Sequence, residues 1–158
     1  MSKYENPTPM RRDTIFRISS MTKPIIAVAT MILVEECKLR LDEPVDALLP
    51  ELAERKVLER LDGPLSNTVP AHRSITVRDL LTFRMGFGQI MVPSAPCPIL
   101  TVANEQQIGM GLPSPATQPP PDEWMRRLGA LPLMAQGFPV APGVWVSVTS
   151  ARVALSTM

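Results

Sequence analysis

Asp13-Thr14-Ile15-Phe16-Arg17-Ile18-Ser19-Ser20-Met21-Thr22-Lys23-Pro24 leads into the apolar stretch Ile25 to Leu39, and the reading of the chain turns on this junction. Thr14 to Ile18 alternates and is rich in β-branched residues, which predicts a short strand or extended segment. Ile25 to Val34 is apolar on every side, the pattern of a buried central helix rather than a surface one. Pro24 has to fall in the first turn, because deeper inside it would break the hydrogen-bond ladder. The helix is therefore expected from about Ser20 to Lys38.

Ser20-Met21-Thr22-Lys23 is an S-x-x-K tetrad at the start of that helix. Residues i and i+3 share a helix face, so the lysine amine can reach the serine hydroxyl. A serine hydroxyl is a weak nucleophile until a base takes its proton. An ammonium withdrawn from water gives up its proton more readily, and a helix N-terminus favours negative charge developing beside it. Ser20 and Lys23 are the candidate catalytic residues. The tetrad alone also fits a plainer arrangement, with Ser20 as helix cap and Lys23 as an exposed first-turn charge.

Further along, Leu41-Asp42-Glu43-Pro44 predicts a turn into a short helix capped by Asp42. Glu51 to Arg60 is amphipathic and is broken at Asp62-Gly63-Pro64. Ile75-Thr76-Val77-Arg78-Asp79-Leu80-Leu81 carries a capping-box pattern, Thr76 with Asp79, and opens a helix expected to end near Gly86 and Gly88. The chain holds 18 prolines, well above the usual share of about 5%, and their density from Pro93 to Pro121 predicts an extended loop. Asp122 is expected to cap a helix, Glu123 to Leu128, closed by Gly129. Gly137 to Met158 carries one charge, Arg152, and lacks an amphipathic pattern; Val144 to Val148 passes as a strand by propensity alone.

Composition excludes several classes. A net charge of +1 gives no electrostatic footing for nucleic acid or an anionic membrane. One histidine, His72, and two scattered cysteines, Cys37 and Cys97, are too few for a metal site, and no cofactor is expected. Cys37, inside the apolar pattern, is expected to be a small buried hydrophobe. Met1 to Pro9 lacks a signal-peptide pattern and the longest apolar run, Pro24 to Val34, is too short to span a bilayer, so the expected location is the cytoplasm.

Three segments together resemble one family. Asp13 to Pro24 is similar to the nucleophile segment of the serine β-lactamases, penicillin-binding D-alanyl-D-alanine peptidases and related esterases. Leu39-Arg40-Leu41-Asp42-Glu43-Pro44-Val45 looks like the segment after the nucleophile helix, with Lys38 standing where the family has glycine-like turn chemistry, and Leu48-Leu49-Pro50-Glu51-Leu52 follows in order. Ile75 to Phe87 resembles the family's I-T-V-R-D-L-L-T-H-T-S-G stretch. The resemblance runs from about Arg11 to Met134. It implies an α+β fold, an antiparallel sheet flanked by helices beside an all-helical region, of which this chain holds mainly the helical part with most of the sheet missing.

The resemblance also implies the chemistry. Ser20 would be acylated, Lys23 would exchange its proton, and the Ser20 backbone N–H would be one of two oxyanion donors. The substrate would be an ester, amide or β-lactam carbonyl. The family's Y-x-N or S-x-N motif does not follow Ser20: the one tyrosine, Tyr4, has the lettering with Asn6 but precedes the nucleophile. No K-T-G or H-x-G is present. The expected organisation is a partial β-lactamase-related domain over residues 1–136 and an atypical tail, 137–158, whose composition fits out-of-frame reading. Two other functions fit the sequence: a non-catalytic protein that accepts an acyl group or ligand at Ser20, and a helical interaction module.

Overall fold

A computed structural model of the chain describes residues 9–16, 18–88, 97–108 and 118–136. Helix α1 (Thr22–Glu35) follows a 3-10 turn, Ser19–Met21. A second 3-10 turn, Pro50–Leu52, precedes strands β1 (Lys56–Leu58) and β2 (Thr68–Pro70). Helices α2 (Val77–Leu81), α3 (Pro98–Glu105) and α4 (Pro121–Ala130) complete the described elements.

β1 and β2 pair antiparallel, with Val57 opposite Val69. Leu133 joins the other side of β1: its N–H donates to Lys56 O at 2.8 Å and its carbonyl accepts from Leu58 N–H at 2.9 Å. The chain after α4 is thus stitched to the hairpin, and Leu133 is fully buried. Around it the core gathers Val45, Leu52, Ile75, Phe87 and Leu128, with Ile99 and Ile108 from either end of α3. Val45, Ile75, Phe87 and Ile108 sit in turns or irregular chain, so much of the interior is assembled between the regular elements.

Arg55 locks that arrangement. Its guanidinium donates to the carbonyls of Leu128, Gly129 and Leu131 and to Glu51 O, placing a buried cation at the C-terminal end of α4, where the helix dipole favours it. Gly129 makes the approach possible, since a Cβ there would stand 2.6 Å from Glu51 O. Gly129 therefore lies inside α4 as a contact residue rather than closing the helix. Pro121 takes the first helical position and Asp122 the first turn, with no side-chain cap.

Several sequence expectations give way. Thr14 to Phe16 and Ile18 form no strand. Asp42 starts no helix; its carboxylate takes Arg78 instead. Glu51 to Arg60 divides into the 3-10 turn and β1, because Glu54 adopts a left-handed φ of 47° that no helix tolerates. α2 stops at Leu81 rather than near Gly86. Gly86 serves another purpose: at φ 94° it lies so close to Ala135 O that a Cβ would stand 1.9 Å away. The proline-rich stretch contains α3, because Pro98 occupies a helical first position, where proline fits, and the next proline is Pro113. Tyr4, Val144 to Val148 and the tail 137–158 lie outside the described residues.

Three helices end alike. Cys37, Phe83 and Gln107 take left-handed φ values of 57°, 59° and 58°. At each end the next residue's N–H reaches back five residues: Lys38 to Leu33 O, Arg84 to Asp79 O and Ile108 to Ala103 O. This is the Schellman closure, which usually places glycine at the left-handed position. Cys37, not Lys38, thus holds the glycine-like place, and as the turn residue it is exposed rather than buried.

α1 departs furthest from expectation: none of its residues is buried. Ile26, Ala27, Thr30 and Val34 lie half-buried, whereas Met21, Ile25, Val28 and Ile32, at helical spacing, form an exposed apolar stripe with Val28 61% accessible. No described helix is long and apolar enough to cross a membrane.

Exposure of this stripe is directly testable. Val28→Ser and Ile25→Ser are expected to lower stability by less than about 1 kcal/mol each, whereas Leu133→Ala costs about 2–5 kcal/mol. Chemical denaturation of the three variants checks this; equal losses at Val28 and Leu133 would show that α1 is buried.

Candidate active site

Ser20 lies in the 3-10 turn and Lys23 is the second residue of α1, so the change of helix type falls between them. The Lys23 Nζ donates to Ser20 Oγ at 2.8 Å. Pro24 falls within the first turn, as the sequence requires. The cap position of α1 belongs to Met21, which is itself helical and makes no side-chain cap. The Ser20 hydroxyl therefore faces the lysine amine instead of closing the helix, and the plainer cap arrangement is not the one formed. Ser20 is exposed and Lys23 half-buried.

The other wall comes from the end of α2. The Lys23 Nζ stands 6.0 Å from the centre of the Phe83 ring, within the range at which a cation is attracted to an aromatic face. Sequence reasoning passed over Phe83. The available signal was a departure: Phe83 stands where the family stretch has histidine.

α2 is placed by its capping box. Thr76 Oγ1 accepts from Asp79 N–H, and the Asp79 carboxylate accepts from Thr76 N–H and Oγ1. The Arg73 guanidinium closes on both Asp79 oxygens. Arg78 then ties α2 to the strap after α1: its N–H donates to Leu41 O at 2.8 Å and its guanidinium grips Asp42. Val45 N–H to Ile75 O extends that strap pairing. His72 lies away from the pair, its N–H donating to Gln136 Oε1. Among the described residues no group of three or more His, Cys, Asp or Glu could hold a metal ion.

A helix-borne serine and lysine in contact, on a mostly helical part of an α+β fold, define the class to which the comparisons point. The Beta-lactamase family profile matches residues 1–145, and the chain belongs to that family. A Mycobacterium tuberculosis protein is 41% identical over 128 residues, 81% of this chain and 29% of its own length. The esterase EstB of Burkholderia gladioli is 37% identical over 95 residues, covering 60% of this chain and 21% of the esterase. Among solved structures, simvastatin synthase (LovD) from Aspergillus terreus superposes with a TM-score of 0.53 at 23% identity, over 85% of this chain and 31% of that one. The chain thus spans less than a third of these proteins. Among its described residues are four helices and a two-stranded sheet, the helix-rich portion of the fold.

Electrostatics at Asp79 set a pH dependence. Burial raises the carboxyl, but the Arg73 guanidinium and the Thr76 donors overcome it and bring its pKa from 3.8 to about 2. A depressed carboxyl stabilises the fold fully above its unfolded value and progressively less as pH falls through the folded one. The contribution at neutral pH is at most about 2 kcal/mol, reduced because Arg73 stands half in water. Asp79→Asn is expected to melt below wild type, with the gap closing from about pH 5 to about pH 1 as first the unfolded and then the native carboxyl protonates. A gap that stays constant across that range would show that the charge of Asp79 does not matter.

Proposed function

We propose that this chain carries the acylation half of a serine hydrolase site, with Ser20 as nucleophile and Lys23 as its proton partner, acting on an ester, amide or β-lactam carbonyl. The observation that carries the reading is the 2.8 Å contact between Lys23 Nζ and Ser20 Oγ at the start of α1. With the amine neutral, the same contact runs in the opposite sense, Oγ–H donating to Nζ. Oγ then attacks the carbonyl carbon as its proton passes to Nζ. The tetrahedral oxyanion collapses, the leaving group departs with a proton, and an acyl ester remains on Ser20. The name of the Burkholderia gladioli relative supports ester chemistry.

Deacylation is the weak half. No Y-x-N or S-x-N follows Ser20, and no K-T-G or H-x-G is present to mark the strand that would offer a second oxyanion donor. Losing one such donor costs about 100- to 1000-fold, and groups that act as a unit leave little when several are absent. The expected behaviour is acylation with slow turnover, which brings the reading close to that of an acyl-accepting protein.

Intact-mass measurement with p-nitrophenyl acetate tests it. Wild type is expected to gain one acetyl group at Ser20, Ser20→Ala none, and Lys23→Met to acylate at least about 100-fold more slowly. An unchanged adduct on Ser20→Ala removes the nucleophile assignment. Robust turnover that Ser20→Ala abolishes would show that the deacylation machinery is complete.

A further inference from the structure

We propose that Phe83 is a positioning residue for the Ser20–Lys23 pair, its ring holding the lysine head in place so that Nζ stays on Ser20 Oγ. The proposal rests on the reading of Ser20 as the acylated group and concerns how the pair is kept assembled.

A lysine head on four rotatable bonds loses much freedom when fixed, and one hydrogen bond to an exposed serine in water is a weak restraint. α1 supplies little else, since it buries none of its residues. The second contact comes from α2, whose Phe83 ring lies 6.0 Å from Nζ. In the resting pair the protonated head is thus held between a hydroxyl and an aromatic face, and the place it keeps is the one from which, once neutral, it takes the Ser20 proton.

The placement of Phe83 is informative. It occupies the left-handed position of the α2 closure, φ 59°, with Phe83 N–H on Leu80 O at 3.3 Å and Arg84 N–H on Asp79 O at 2.7 Å. Glycine takes this conformation without strain, and a bulky residue does not. Cys37 and Gln107 at the equivalent places show that the chain tolerates a side chain there, so strain alone assigns nothing. What distinguishes Phe83 is where its ring goes. It is 38% exposed and lies outside the hydrophobic core cluster, whereas its neighbours Leu80 and Leu81 pack against that core. The ring contact with the Lys23 Nζ gives an aromatic group at this position a role that packing alone does not require.

Two readouts on the full chain separate this from a structural role. The chain has four lysines, Lys3, Lys23, Lys38 and Lys56, so their Hε–Cε signals are resolvable by NMR, with Lys23 assigned through Lys23→Arg. The Lys23 Hε signal is expected upfield of the other three from the ring current. The shift should vanish in Phe83→Leu and Phe83→Gly and persist in Phe83→Tyr. Acetylation of Ser20 by p-nitrophenyl acetate should slow about tenfold in the Leu and Gly variants and recover in Phe83→Tyr, as expected for a misplaced catalytic group. Phe83→Gly relieves the left-handed strain and should melt at or above wild type, so a slower reaction there is not a folding defect. An unshifted Lys23 signal in wild type, or acylation unchanged in both Leu and Gly variants, overturns the proposal. Should wild type form no adduct at all, the function reading falls, and the Lys23 signal still decides whether Phe83 holds the lysine.

Discussion

The Asp79 carboxylate is the tie on which the placement of the candidate site depends. It is buried, grips Arg73 and closes the capping box with Thr76. That fixes where α2 begins, and a five-residue helix has little stability of its own from which to choose a start. From α2, Arg78 reaches the strap at Leu41 and Asp42, which follows directly on α1, and Phe83 reaches Lys23 at its other end. α1 is therefore held near both ends by contacts that pass through α2. α1 has no buried side chain of its own to set against these contacts.

Arg55 solves a related problem in the body of the chain. An interior assembled in good part between the regular elements leaves backbone carbonyls without ladder partners, and a buried carbonyl left unpaired is costly. One guanidinium, with five donors in a fixed plane, satisfies carbonyls at the end of α4 and beyond it. Burial lowers its pKa from the ordinary value, yet an arginine remains charged in a protein. Its Nε has no partner among the described residues. The arrangement fixes the approach of α4 to the Pro50–Leu52 turn at a spacing only Gly129 admits.

What the sequence made legible was local and chemical. Ser20 and Lys23 at i and i+3, Pro24 in the first turn and the Thr76–Asp79 box are each decided by a few neighbouring atoms, and the structure has all of them. The family's α+β fold, reduced to its helical portion, was likewise readable, because three segments in order carry more information than any one. The misreadings share a cause in distant contacts. Nothing near Arg55 announces that its side chain will be buried under α4, so an amphipathic reading of Glu51 to Arg60 does not separate the 3-10 turn from the strand that follows it. Proline density stood in for proline position, and α3 fits in the gap between Pro98 and Pro113. Cys37 was read from its apolar neighbours, although a Schellman closure decides its exposure.

The exposed stripe on α1 follows the same logic. Hydropathy records what a helix is suited to face, not what it faces. α1 carries apolar residues on two sides, Ile26, Ala27 and Val34 toward the body and Met21, Ile25, Val28 and Ile32 away from it. A helix of that composition suits two apolar partners, and the described residues supply one. The Ser20–Lys23 pair lies at the N-terminal end of the same helix, and its hydroxyl side is open to water. Hydrogen bonds and charges act more strongly as water is withdrawn from around them. Among the described residues the Ser20–Lys23 pair is thus in contact without an enclosing wall on its hydroxyl side, and this separates contact between Ser20 and Lys23 from the reactivity such contact supports in an enclosed site.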